Sequence, residues 1–218
     1  MCGCGTAVHA AEKLHRQWVG IDITHLAINL IERRLKDAFP GITFNVEGTP
    51  KDLEGARNLA ERDKYQFQWW AVSLVGARPY QGHKKGADSG IDGMYFFSVG
   101  DNTTKKLIVS VKGGENVNVA MIRDLKGTME RERAEIGLFI TLAPPTQPMS
   151  AEAASAGFYD PGLVKIYPRI QILTIEGLLN GTARAAFPDW RKGEDTFKKA
   201  QKETKKVKKG KELFEEGE

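Results

Sequence analysis

Asp92 and Lys112 are the two residues whose types and surroundings point most directly to chemistry. Asp92 closes the run Gly86-Ala87-Asp88-Ser89-Gly90-Ile91-Asp92, just ahead of the apolar Tyr95, Phe96 and Phe97. Lys112 closes Leu107-Ile108-Val109-Ser110-Val111-Lys112 and is followed by Gly113 and Gly114. Each apolar run is bounded by Gly, Asn, Asp and Thr, so two strands are predicted. Their connection, Gly100-Asp101-Asn102-Thr103-Thr104, has the length of a hairpin loop. Antiparallel pairing brings Asp92 close to Lys112 at one end of a sheet, with Gly113 and Gly114 leaving room for a large ligand. A carboxylate there can hold a hard cation through oxygen. An ammonium beside it can orient an attacking water or offset charge on a phosphate. The pattern points to metal-assisted hydrolysis; the plainer reading is a surface Asp–Lys pair on a hairpin.

The motif Gly-x-Asp-x-Gly-Ile-Asp, followed by an apolar strand and then x-x-Lys, resembles the Mrr-like branch of the PD-(D/E)XK nuclease superfamily. In that resemblance Asp92 matches the metal-binding Asp, and Ser110-Val111-Lys112 matches the (D/E)-x-K tripeptide. Ser110 stands where the superfamily carries an acid and Mrr-like members often carry Gln. The helix that opens the Mrr-like core carries Phe-Glu; here the pair is Phe67-Gln68. Glu115 or Asp124 could supply a displaced carboxylate. The resemblance implies a divalent metal, Mg²⁺ or Mn²⁺, double-stranded DNA as substrate and a homodimer, since cutting both strands commonly takes two active sites. It also implies a restriction-modification setting.

The elements that must position these residues follow the same order. A helix is predicted from Pro50 to about Arg62, with Asp52 and Glu54 in its first turn. A strongly apolar helix follows over Tyr65–Val75, whose Trp69 and Trp70 suit packing better than base stacking. A first strand is expected near Arg78–Gly82, a helix over Ala120–Ala134 and a buried strand over Ile136–Leu142 ended by Pro144, Pro145 and Pro148. The fold class is therefore α/β, with the α-β-β-β-α-β core and mixed sheet of the nuclease superfamily. A short helix is expected at Ala151–Gly157, a strand at Ile170–Leu173, and a helix at Ile175–Leu179 capped by Thr174. His83, Lys84 and Lys85 precede Gly86; Lys84 and Lys85 are candidate DNA-phosphate contacts, or part of a solvated loop cluster.

The first 46 residues read differently. Gly3 and Gly5 allow backbone amides to approach a ligand, and the apolar-periodic run Ala7, Val8, Ala11 and Leu14 starts a helix at that loop. Gln17–Asp22 reads as a short strand ending in an acid, of the kind that bonds ribose hydroxyls in doubly wound folds. Thr24 caps a helix bearing Leu26, Ala27, Leu30, Ile31 and Leu35, and Ile42–Val46 reads as another strand. As a set, Gly3, Gly5, Thr6 and Asp22 resemble the cofactor-loop end of a permuted S-adenosylmethionine-dependent DNA amino-methyltransferase. That family's catalytic Asp/Asn-Pro-Pro-Tyr/Phe motif has no counterpart: Pro144-Pro145 is flanked by Ala143 and Thr146. The expectation is a partial doubly wound segment. It would use S-adenosylmethionine only when completed by a methyltransferase N-terminal part, and on its own it would not methylate DNA.

Three units are thus expected: residues 1–46, a nuclease-like domain over 47–189, and a Lys-rich helical or disordered tail over 190–218. The chain has 218 residues and a net charge of +4. From Trp190 onward there are ten Lys or Arg against seven acids, so most of the basicity lies in the tail, as a frayed solvated segment or a nonspecific phosphate binder. No apolar run approaches the roughly 20 residues of a membrane helix. Cys2 and Cys4 are too close for an ordinary disulfide and too few for a zinc site, which suits a reducing, cytoplasmic setting. Two other readings stay open beside the endonuclease: an inactive nuclease-fold module for DNA binding or target recognition, and the C-terminal part of a methyltransferase needing a separate catalytic part.

Overall fold

The computed structural model describes residues 2–80, 90–99, 103–162 and 165–188. Lys84, Lys85, the tip of the 100–104 loop and the Lys-rich tail lie outside the described residues. The elements run α1 (Thr6–Lys13), α2 (His25–Ala38), α3 (Leu53–Arg62), α4 (Lys64–Leu74), β1 (Arg78–Pro79), β2 (Gly93–Val99), β3 (Thr103–Lys112), α5 (Val119–Glu132), β4 (Ile136–Thr141), α6 (Gln147–Ser155), β5 (Phe158–Tyr159), β6 (Tyr167–Pro168), β7 (Ile170–Thr174) and α7 (Ile175–Leu179). No described helix is long and apolar enough to cross a membrane.

A five-stranded mixed sheet in the order β1-β2-β3-β4-β7 forms the centre. β2 pairs antiparallel with both β1 and β3, while β3, β4 and β7 run parallel. A parallel neighbour needs a crossover, and α5 supplies it between β3 and β4. Strand alternation sorts the side chains between two faces. Tyr95, Phe97, Leu107, Val109, Val111, Ile136, Leu138 and Ile140 meet α3, α4 and α7 through Ala60, Phe67, Trp70 and Ile175. Ile108 and Phe139 meet Ile122, Leu125 and Met129 of α5 and Met149 of α6. All six residues of β4 are buried, as expected of a central parallel strand covered on both faces.

Local chemistry accounts for the helix starts. Thr24, Asp52, Asp63, Asn118 and Thr174 each cap a helix through a side-chain oxygen. The helix expected from Pro50 begins instead at Leu53, because Asp52 accepts the Gly55 amide at 2.7 Å and is the cap rather than a first-turn residue. The helix expected from Ala151 begins at Gln147. Pro148 lies in its first turn, where a missing N–H costs nothing, and so opens α6 rather than merely ending β4. Beyond β7, Gln171 uses its side-chain amide as a surrogate strand partner. Its Nε2 donates to the Ala186 carbonyl at 2.6 Å, and its Oε1 accepts the Ala186 amide at 2.8 Å. That clamp brings Phe187 onto Tyr95, with ring centroids 4.9 Å apart.

The expected strands at Gln17–Asp22 and Ile42–Val46 do not form. Both segments alternate in burial with period two, but neither has a ladder partner among the described residues. Trp18 and Phe44 turn inward and meet at 5.9 Å, joining Val8, Ile31 and Leu35 in a small third cluster. Val19, Ile21 and Ile23 point outward and are 88, 74 and 75 % exposed. The Ile21 carbonyl accepts the Cys2 amide at 3.1 Å, but no strand lies beside either segment among the described residues to build a ladder, so alternation alone did not make a sheet. Helix α2 touches the nuclease-like part through polar bonds. The His25 amide donates to Gln66 Oε1 at 3.2 Å, and Asn29 Nδ2 donates to Ser73 Oγ at 2.6 Å.

Candidate active site

The site is assembled where β2 begins and β3 ends. The ladder starts with Gly93 opposite Val109, so one step further out Asp92 lies beside Ser110. The Asp92 amide donates to the Val109 carbonyl at 2.8 Å, and Asp92 Oδ2 accepts the Val111 amide at 2.6 Å. The carboxylate is thereby pinned to the backbone between Ser110 and Lys112. The charge-assisted bond is of the shorter, stronger kind. Ser110 is 5 % exposed, and Lys112 and Asp92 are half-buried. Strand alternation puts Ser110 and Lys112 on the face of Ile108, two residues apart at the end of the central strand.

Two glycines bring the helices against this corner. A Cβ on Gly93 would lie 2.5 Å from Val72 Cγ1 of α4, closer than real contacts allow. A Cβ on Gly113 would lie 2.9 Å from Phe67 Cε1 and 3.2 Å from Ala60 Cβ. The room expected at Gly113 for a ligand is therefore taken by α3 and α4; only Gly114, with nothing within 4 Å of its Cβ position, is open. Phe67 seats α4 on the end of β3 and so sets the position of Gln68, which is half-buried. No hydrogen bond among the described residues joins Gln68 to Asp92, Ser110 or Lys112. Glu115, just past Gly114, is paired with Arg57 of α3 at 3.3 Å. Among the described residues no three His, Cys, Asp or Glu side chains converge.

A family model described as restriction endonuclease (Mrr_cat) matches residues 59–168, half of the chain. The chain belongs to the Mrr_cat restriction endonuclease family. No match was found among curated proteins or among solved structures. The family match begins inside α3 and ends in β6, so it takes in Gln68, Asp92, Ser110 and Lys112 and leaves out residues 1–58. The mixed α/β sheet with its flanking helices is the nuclease-like core expected of an Mrr_cat chain.

Outside the Mrr_cat match, the residues expected to hold a cofactor are only partly gathered. Asp22 Oδ2 accepts the Gly3 amide at 3.0 Å and Oδ1 accepts the Thr24 amide at 3.2 Å. The Thr24 amide first, and then that of Gly3, hold the Asp22 carboxyl below its ordinary pKa. Gly5 adopts φ +79°, where a side chain is strained, and a Cβ there would meet Ile31 Cγ1 at 2.7 Å. Thr6 Oγ1 lies 3.2 Å from Cys4 Sγ. A groove of about 1210 Å³ runs along this part of the chain between Trp18, Asp22, Ile31 and Phe44. Of the four residues, Asp22 alone lines it, and neither Asp92 nor Lys112 does.

The sequence reading assigned nothing to the Val111 amide, to Ala60 or to Arg57. The Val111 amide has no sequence signature, because any residue there supplies it. Ala60 and Arg57 lie on one face of α3, a turn apart, and their approach to Gly113 and Glu115 follows only from how α3 packs.

Proposed function

We propose that the chain is a divalent-metal-dependent DNA endonuclease of a restriction-modification system, cutting phosphodiester bonds of double-stranded DNA. The observation that supports this best is the anchoring of Asp92 on the Val111 amide, which holds a carboxylate beside Ser110 and Lys112 at one end of the sheet inside the family match. Asp92 and the Ser110 hydroxyl are hard oxygen donors. They suit Mg²⁺ or Mn²⁺, because Mg²⁺ keeps several of its waters and needs only one or two carboxylates. Such an ion, when bound, makes a water nucleophilic near neutral pH and offsets charge on the phosphate. Lys112 orients the attacking water or neutralises the non-bridging phosphate oxygens, and it is held there by the last ladder position of β3. Gln68 lines the site from α4. Lys84 and Lys85 contact the flanking phosphates, and two copies of the chain place one site on each strand.

Incubating the full chain with supercoiled plasmid and Mg²⁺ or Mn²⁺, with EDTA as control, tests this. Nicked and linear product that disappears with EDTA is expected. Binding without cutting at any metal concentration would leave the inactive recognition module as the better account.

The bond from the Gly3 amide to Asp22 favours a second reading for residues 1–46. It draws a Gly-rich loop and an acid together, as a methyltransferase cofactor loop requires, in a segment that a separate methyltransferase part would complete. Calorimetric titration of S-adenosylmethionine into the chain, alone and with such a part, tests it; heat in neither case would remove it. On this reading 1–46, 47–189 and 190–218 are separate units.

A further inference from the structure

The end of β3 carries an ion pair that the reaction as proposed does not use. Arg57 Nε lies 3.3 Å from Glu115 Oε1, and both side chains are well exposed, 48 % and 65 %. Arg57 sits one turn before Ala60, the residue packed on Gly113, so it shares the α3 face that meets the chain immediately after Lys112. Glu115 follows Gly114, the open glycine at the mouth. Glu115 is thus an exposed carboxylate three residues past Lys112, where a phosphodiester backbone would approach the site. Left unpaired, Glu115 would repel it.

We infer that Arg57 is a DNA-phosphate contact of this site, held on Glu115 until the duplex arrives and then transferred to a phosphate oxygen flanking the bond to be cut. This rests on the endonuclease reading above. An exposed pair contributes little to stability, so exchanging its partner is cheap. A guanidinium matches phosphate as well as carboxylate, by two parallel N–H donors, which a lysine cannot do. Arg57 lies outside the residues matched by the family model, which begin at 59.

The test is anisotropy of a fluorescein-labelled duplex with the full chain in EDTA, over a series of salt concentrations. Arg57→Ala is expected to weaken binding roughly tenfold at low salt, the scale of one charge-assisted contact. Its plot of log affinity against log salt is expected to be shallower by about 0.9, the value of one phosphate contact. Arg57→Lys is expected to keep the wild-type slope. Glu115→Gln is expected to bind as tightly as wild type or tighter, with an unchanged slope. A pair that served only to hold α3 would instead lower the melting temperature equally in Arg57→Ala and Glu115→Gln and leave both slopes unchanged. That result, or equal weakening of binding by the two substitutions, overturns the inference while leaving the nuclease reading intact. Failure of the wild-type chain to bind DNA at all would count against the nuclease reading itself, and with it the role of Arg57.

Discussion

Asp92 accepts a 2.6 Å hydrogen bond from the amide of Val111, the residue that separates Ser110 from Lys112. One bond thus serves two ends. It closes the hairpin where β2 begins, and it fixes a carboxylate against the strand that carries the lysine. Stability and activity are coupled at Asp92 but separable by the choice of substitution.

Asp92→Ala removes the acceptor and leaves the Val111 amide unpaired, which is expected to cost about 1–3 kcal/mol of folding stability. Asp92→Asn keeps an oxygen for that amide while losing the charge, so its urea midpoint is expected to stay near wild type. A midpoint for Asp92→Asn as low as that of Asp92→Ala would show that the charge, not the bond, holds the corner.

Lys112 sits half-buried at a strand end, outside both large apolar clusters. Lys112→Ala is therefore expected to fold normally by circular dichroism and to lower plasmid cleavage by at least about 10²-fold, the scale of losing one charge-stabilising group. Retained cleavage would remove Lys112 from the site.

Gly113 and Gly114 are adjacent and should respond oppositely. Gly113→Ala drives a methyl to 2.9 Å from the Phe67 ring and should cost about 1–3 kcal/mol by overpacking. Gly114→Ala meets nothing within 4 Å and should be near neutral. Denaturant midpoints check both, and equal effects would show that the seating of α4 on β3 is not as described.

Much of this corner was legible in the sequence. The two strands, their antiparallel pairing and the approach of Asp92 to the Ser110–Lys112 segment all follow from apolar runs with turn residues between them. Two helix caps, Thr24 and Thr174, were legible because each Thr sits one residue before an apolar helical run, whereas Asp52 read as a first-turn residue and is the cap. What failed depended on distant partners. Gln17–Asp22 and Ile42–Val46 have a strand's alternation, but a ladder needs a neighbour that no local pattern supplies. Gly113 read as open space because the sequence does not say that Phe67 and Ala60, from two different helices, converge on it.

Ser110 marks where a carboxylate is absent, and Ser110→Asp tests whether that absence matters. Two carboxylates side by side at a buried position repel without a cation, so the substitution should lower the melting temperature in EDTA. Mg²⁺ should recover the loss, and the Mg²⁺ needed for half-maximal cleavage should fall roughly tenfold with the added charged ligand. A melting temperature indifferent to Mg²⁺ would place the metal elsewhere.

His25 opens α2 beside α4, and its half-buried imidazole should make folding sensitive to pH. Burial first, and then the charge of Arg62, hold its pKa below the ordinary 6.5, against a smaller opposite effect from Asp63. The unfolded chain then takes up the proton more readily than the folded one. Stability linked to His25 is complete above pH 6.5 and is lost as pH falls below it towards the folded-state pKa. Urea midpoints measured across that range should decline in wild type and flatten in His25→Gln; parallel curves would contradict the assignment.

The most direct measurement is cleavage of methylated and unmethylated plasmid by the wild-type chain and by Asp92→Asn, side by side, with Mg²⁺ or Mn²⁺. Metal-dependent cutting by the wild type, lost in Asp92→Asn while that protein remains folded, is the predicted result, and the preferred plasmid then defines the substrate. Equal cutting by both proteins would contradict a site built on Asp92.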